Sequence, residues 1–181
     1  MEKIQDGIAG GRVVNDMSLY TVTLGNNRFD VDDTVNTPKL TQPNVFTFEM
    51  FVKSEGELDD LYRVIARKTR AGSNASWILQ TNPSGNLLLR ADTDVNPAGP
   101  NGDPGFNQSV QGPVVMDGQW HHIAVTYDGS MATPEFNLFM DYANVGTLVP
   151  NPGGTGAIFY DGGVLHVGGR NNGNCWNGWI D

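Results

Sequence analysis

The sequence predicts an all-β protein, a single antiparallel β-sandwich, and three observations carry that prediction. Apolar and polar residues alternate over short runs, as they do in strands with one buried face. Turn-forming residues punctuate those runs throughout, with 23 Gly, 10 Pro and 18 Asn in the chain. Helical spacing is confined to one short stretch, so strands alternating with long helices are excluded.

The clearest strand is Val45–Lys53 (VFTFEMFVK), with Phe46, Phe48, Met50 and Val52 on one side and Thr47 and Glu49 on the other. Phe51 interrupts the polar side, which predicts a strand covered on both faces. Further strands are expected at Ser18–Leu24, Arg28–Val31, Leu61–Lys68, Ser76–Thr81, Asn86–Ala91, Val110–Val115, Trp120–Asp128, Glu135–Asp141, Val164–Gly168 and Trp176–Ile180. Turn signals separate them, among them Gly25-Asn26-Asn27, Pro83-Ser84-Gly85-Asn86, Asp117-Gly118, Asp128-Gly129 and Asn172-Gly173-Asn174. The one helical candidate is Glu55–Ile65, with its acids early, where they suit a helix start. Asp92–Pro113 and Pro150–Gly156 read as loops, the first long enough to carry function.

With 181 residues and no linker or internal repeat, residues 1–181 read as one domain, a fragment or module of a larger protein. Acidic residues outnumber basic ones 20 to 11, which argues against a nucleic-acid partner because phosphate binding draws on Lys and Arg. No apolar run is long enough to insert in a membrane. The start, Met1–Asp6, lacks a signal-peptide core, so a secreted protein would carry its targeting segment outside this chain. Cys175 stands alone, which excludes an internal disulfide and a cysteine zinc site.

Five segments in order carry a resemblance: Phe46–Val52, Asp117–Gly129 (DGQWHHIAVTYDG), Leu138–Asp141, Leu165–Arg170 and Trp176–Asp181. Over residues 45–181 the chain resembles the laminin-G-like branch of the concanavalin A-like lectin/glucanase superfamily. The resemblance implies a jelly-roll of two curved antiparallel sheets whose concave face and loop rim often bind glycans. It also implies core positions for Trp120 and Trp176. This chain departs from the family at Phe51, where Trp is usual, and at Tyr142, where Gly is usual. The family commonly continues past Asp181 into another strand, so the chain is either trimmed there or leaves an open sheet edge suited to self-association.

Glucanases of this superfamily carry Glu-x-Asp-x-(x)-Glu on one strand, and the nearest string here, Glu55-Gly56-Glu57-Leu58-Asp59-Asp60, lacks the third Glu. No Gly-x-Ser-x-Gly or His-Glu-x-x-His motif occurs, so no catalytic residue is assigned and the expectation is a non-enzyme. A divergent glycoside hydrolase remains the remote alternative. His121 and His122 point to opposite faces of their strand and cannot share a metal; both, like His166, are read as hydrogen-bonded structural histidines. A structural calcium ion is the cofactor to consider. Its candidate ligands are Asp92, Asp94 and Asn96, with Asp103 further on and Asp30–Asp33 as a second cluster. The resemblance adds Asp181. Against a calcium loop stands Pro97, where such a loop needs glycine.

Sugar binding combines ring platforms for C–H faces with planar polar groups for hydroxyls. Candidate carbohydrate-binding residues are Trp179, Trp77, Arg170, Asn171, Asn172 and Asn174. The expected function is therefore a non-catalytic recognition module, secreted or at a cell surface, holding a glycan reversibly. The alternative is a structural or adhesion domain of a larger surface or virion protein, with a protein partner.

Overall fold

The computed structural model of the chain describes residues 7–9, 12–14, 19–21, 28–31, 45–56, 58, 60–69, 75–91, 108–131, 135–148, 164–169 and 174–181. Among the described residues all regular structure is β: β1 (Gly7–Ala9), β2 (Arg12–Val14), β3 (Leu19–Thr21), β4 (Phe29–Val31), β5 (Val45–Ser54), β6 (Val64–Thr69), β7 (Ala75–Thr81), β8 (Asn86–Ala91), β9 (Gln108–Val114), β10 (Trp120–Asp128), β11 (Glu135–Met140), β12 (Ala143–Leu148), β13 (Leu165–Val167) and β14 (Gly178–Ile180). The first sheet has the order β12-β11-β10-β5-β14-β3 and the second β4-β13-β6-β7-β8-β9, with β1 and β2 as a separate pair. Neighbouring strands run antiparallel throughout. This is the all-β, two-sheet jelly-roll architecture that the sequence predicts.

Period-two alternation builds the core. Strands β8 and β11 each bury every second residue, Leu87, Leu89 and Ala91 in one and Phe136, Leu138 and Met140 in the other. Strand β5 contributes Met50 and Val52, and β10 contributes Ile123, Val125 and Tyr127, all in one apolar cluster between the sheets. Aromatic rings interlock there: Trp77 lies 6.0 Å from Phe46 and 5.4 Å from Phe48, and Tyr127 lies 4.5 Å from Phe136. Trp176 is fully buried, and its indole Nε1 donates to the Trp179 carbonyl at 3.3 Å.

Strand β14 fits between β3 and β5 because position 178 is glycine. A Cβ there would lie 1.9 Å from the Lys53 carbonyl oxygen, so only glycine allows this approach. Asp181 prolongs the pairing, with its amide donating to the Phe51 carbonyl at 2.8 Å and its carbonyl accepting from the Phe51 amide at 2.9 Å.

Several expectations need correction. The helix at Glu55–Ile65 does not form: Gly56 and Asp60 take φ of 82° and 57°, which breaks a helical path, and Val64 and Ile65 already belong to β6. The loop ending at Pro113 gives way to strand from Gln108, and Pro113 is accommodated because β9 is an edge strand. Strand β14 is paired on both sides, so among the described residues the edges of the first sheet are β12 and β3 rather than the last strand. Phe51 is 42% exposed rather than covered, and Trp120 is 46% exposed rather than core. Trp77, a candidate sugar platform, is 4% exposed and packed on Phe46 and Phe48, so its ring offers no surface.

Urea unfolding followed by circular dichroism separates these two tryptophans. Trp77→Ala should lower the unfolding free energy by about 3–5 kcal/mol, because it empties a core site. Trp120→Ala should change it by no more than about 0.5 kcal/mol. Equal effects would contradict the assignment of one ring to the core and the other to the surface.

Candidate functional site

Register places a set of aromatic residues on the outer face of the first sheet. On β10, Trp120, His122, Ala124 and Thr126 alternate with the core residues, and on β5 they stand opposite Lys53, Phe51, Glu49 and Thr47. Lys53 is also opposite Trp179 on β14, so one row across the sheet reads Trp179, Lys53, Trp120. The Lys53 ammonium lies 5.5 Å from the centre of the Trp179 ring, a cation–π distance.

The next row is a stack. The His122 ring lies 5.0 Å from Phe51 on one side and 4.6 Å from Tyr142 on the other, nearly parallel to the latter at 18°. Its Nε2 is 3.5 Å from a Glu49 carboxylate oxygen. Beyond it lies a polar ladder on β11 and β12. Thr147 Oγ1 donates to Asn137 Oδ1 at 2.7 Å, Asn144 Nδ2 donates to Asn137 Oδ1 at 3.2 Å, and the Gly146 amide donates to Asn144 Oδ1 at 2.9 Å.

Tyr142 reaches the stack from an unusual backbone. Strands β11 and β12 are joined by Asp141 and Tyr142 alone, with φ of 52° and 67°, the positive values of a type I′ turn. Such a turn favours Asn and Gly, and a bulky aromatic in the left-handed region costs about 1–2 kcal/mol. Tyr142 is nevertheless 78% exposed, so core packing does not explain it.

Asp141 is fixed at three points. Its amide donates to the His122 carbonyl at 2.8 Å, its Oδ1 accepts from the His122 amide at 3.0 Å, and its Oδ2 lies 2.8 Å from His121 Nδ1. The other ring nitrogen of His121, Nε2, lies 3.0 Å from Asp117 Oδ1. Burial of the imidazole works against its charge, but the hydrogen bonds and charges of Asp141 and Asp117 outweigh that effect and raise the His121 pKa above 6.5. Burial pushes the two carboxyls up as well. The Gln119 amide and His121 at Asp117, and His121 with the His122 amide at Asp141, overcome it and hold both below 3.8.

His166 is also hydrogen-bonded, through Nδ1 to Asp30 Oδ1 at 2.5 Å, and Arg28 Nε donates to the same oxygen at 2.6 Å. Burial dominates there and lowers the His166 pKa despite Asp30. Asp30 is thus engaged in an ion pair, and among the described residues no three His, Cys, Asp or Glu side chains gather as a metal would require. The Asp181 side chain is exposed at the end of β14. Asp92, Asp94 and Asn96 lie outside the described residues, as do Arg170, Asn171 and Asn172.

Of the described sugar-binding candidates, Trp179 stands on the outer face and Trp77 in the core. Asn174 is tied to the second sheet, its carbonyl accepting from the Val64 amide at 2.9 Å. Sequence reasoning missed Phe51, Trp120, His122 and Tyr142 as a surface group.

Tyr142→Gly tests whether that ring is there for folding. Removing it relieves about 1–2 kcal/mol of backbone strain and loses a stack of about 0.5–1.5 kcal/mol, so stability should be retained within about 1 kcal/mol in a thermal melt. A loss above about 2 kcal/mol would make the ring a structural element instead.

Residues 27–181 match the Laminin_G_3 family model, described as concanavalin A-like lectin/glucanases superfamily. A search of curated protein sequences finds no significant match. Among solved structures the chain is similar to the Ruminococcus gnavus IT-sialidase CBM40 bound to α2,3-sialyllactose. Identity there is 14% and the TM-score 0.48, over 74% of this chain and 68% of that one. It is also similar to the native heptameric SAP-like pentraxin of Limulus polyphemus, at 17% identity and a TM-score of 0.49, over 76% of this chain and 60% of that one.

Proposed function

Because the chain belongs to the concanavalin A-like lectin/glucanases superfamily, we propose that it is a non-catalytic module, working outside the cell, that holds a glycan reversibly on the outer face of its first sheet. One observation carries this reading. Phe51, Trp120 and Tyr142 are exposed together on a face that also holds His122 and Trp179, beside an amide and hydroxyl ladder of Asn137, Asn144 and Thr147. Rings of this kind stack on the apolar faces of sugar rings, and amides and hydroxyls bond the sugar hydroxyls. Register groups these exposed rings on one face of the sheet.

The acidic groups near the face support holding rather than cleaving. Asp117 and Asp141 are turned onto His121, and Glu49 stands opposite Ala124 with its carboxylate toward His122. Glycoside hydrolysis needs a second carboxyl facing the first across the sugar.

A printed array of neutral and acidic glycans, read with calcium and again with a chelator, tests the proposal. The wild-type chain should give a discrete set of signals. Trp120→Ala and Trp179→Ala should each weaken them about tenfold, the equivalent of one lost aromatic contact, while the circular dichroism spectrum is unchanged. Signals indifferent to both substitutions would move the binding surface elsewhere. A blank array would overturn glycan binding and favour a protein partner for the same aromatic face.

A further inference from the structure

The two turns that border the aromatic face are tied together through one side chain. Asp117 precedes Trp120 by three residues, and Asp141 precedes Tyr142 directly. His121 lies between them, one ring nitrogen on each carboxylate, at 3.0 and 2.8 Å. The Asp117 turn is further joined to the end of β5, because Ser54 Oγ accepts from both the Gly118 and the Gly56 amides, at 3.1 and 3.2 Å.

We propose that His121 is a pH-dependent clamp on the proposed glycan surface: cationic, it holds both bordering turns and keeps Tyr142 and Trp120 in place; neutral, it releases one of them. The inference rests on the glycan reading for its ligand but not for its chemistry. An imidazolium donates from both ring nitrogens and satisfies both aspartates. A neutral imidazole has one N–H, so whichever tautomer prevails, one aspartate faces a lone pair and its bond is lost. The groups facing His121 among the described residues are Asp117 and Asp141 from the two turns; its cross-strand partner on β5 is Val52, which carries no charge. Glu49, Lys53 and His122 belong to the opposite face of the sheet.

The sign follows from the directions of the shifts. His121 has a raised pKa, so the clamp's contribution is complete below about 6.5 and is lost as the pH rises through the value in the folded chain. Asp117 and Asp141 have lowered values, so their share is present above about 3.8 and is lost only at stronger acid. The face is therefore held under mildly acidic conditions and loosens as the pH rises through the folded-state value of His121, which lies above 6.5.

Nuclear magnetic resonance of the full chain, titrated from acid to alkali, tests the clamp without any ligand. The His122 amide, which donates to Asp141, and the Tyr142 ring should shift with the midpoint of His121, and Asp117→Asn and Asp141→Asn should each lower that midpoint. In His121→Gln those shifts should vanish; if they persist, a group other than His121 drives them and the clamp is overturned. The same glycan array read at pH 6 and pH 9 should lose about tenfold of its signal for wild type, as expected for one charge-assisted hydrogen bond, and little for His121→Gln. Equal wild-type signals at both pH values would overturn the clamp. An array blank at both would sink the glycan reading, and the resonance titration would then decide the clamp by itself.

Discussion

The pairing of β5 with β10 is the constraint on which the rest depends. Nine consecutive residue pairs, from Trp120 opposite Lys53 to Asp128 opposite Val45, run through the middle of the first sheet without a bulge. Because side chains alternate strictly between faces, this register decides at once which residues meet the second sheet and which meet solvent. Met50, Val52, Ile123 and Val125 are committed to the core by the same hydrogen bonds that commit Phe51, Trp120 and His122 to the outer surface. A slip of one residue would exchange the two sets, exposing the aliphatic groups and burying Lys53 and Glu49. The burial of the aliphatic set thus enforces the exposure of the aromatic one.

Exposure of so much aromatic surface has a physical cost, and the chain bears it in more than one place. Apolar rings left in water forgo the transfer free energy of burial, about 25 cal/mol per Å². Tyr142 adds backbone strain by occupying a turn position that favours glycine. Cost concentrated on one face, while the opposite face of the same strands packs closely, is what a binding surface requires and a folding core does not.

Much of this was legible in the sequence. The alternation of VFTFEMFVK and of residues 120–128 identified the two central strands, and β8 and β10 fall on their expected limits. Alternation also held the information needed for the site, since Trp120, His122, Ala124 and Thr126 share a parity opposite to Ile123 and Val125. The core position implied for Trp120 by family resemblance conflicts with that parity, and the parity proved the better guide. Strand β12 gave no comparable signal: Ala143–Leu148 contains Asn144 and Gly146, and it forms because the two-residue turn at 141–142 delivers it back along β11. The stretch from Glu55 misled because acids suited to a helix start also suit an exposed connection. Tyr142 stood out as a departure from the family, but its stacking on His122 depends on a cross-strand neighbour that local sequence does not reveal.

The seat of β14 between β5 and β3 bears on how the molecule is made. Residues 178–180 lie far along the chain from residues 19–21 and 45–54 and complete the sheet that those residues begin. Until residues 178–180 have been added, that flank of β5 lacks the neighbour it has in the folded chain, and its unpaired amides and carbonyls are open to any passing strand. Closure of this flank is therefore a late event that joins segments far apart in sequence, after the longer pairing of β5 with β10 can already have formed.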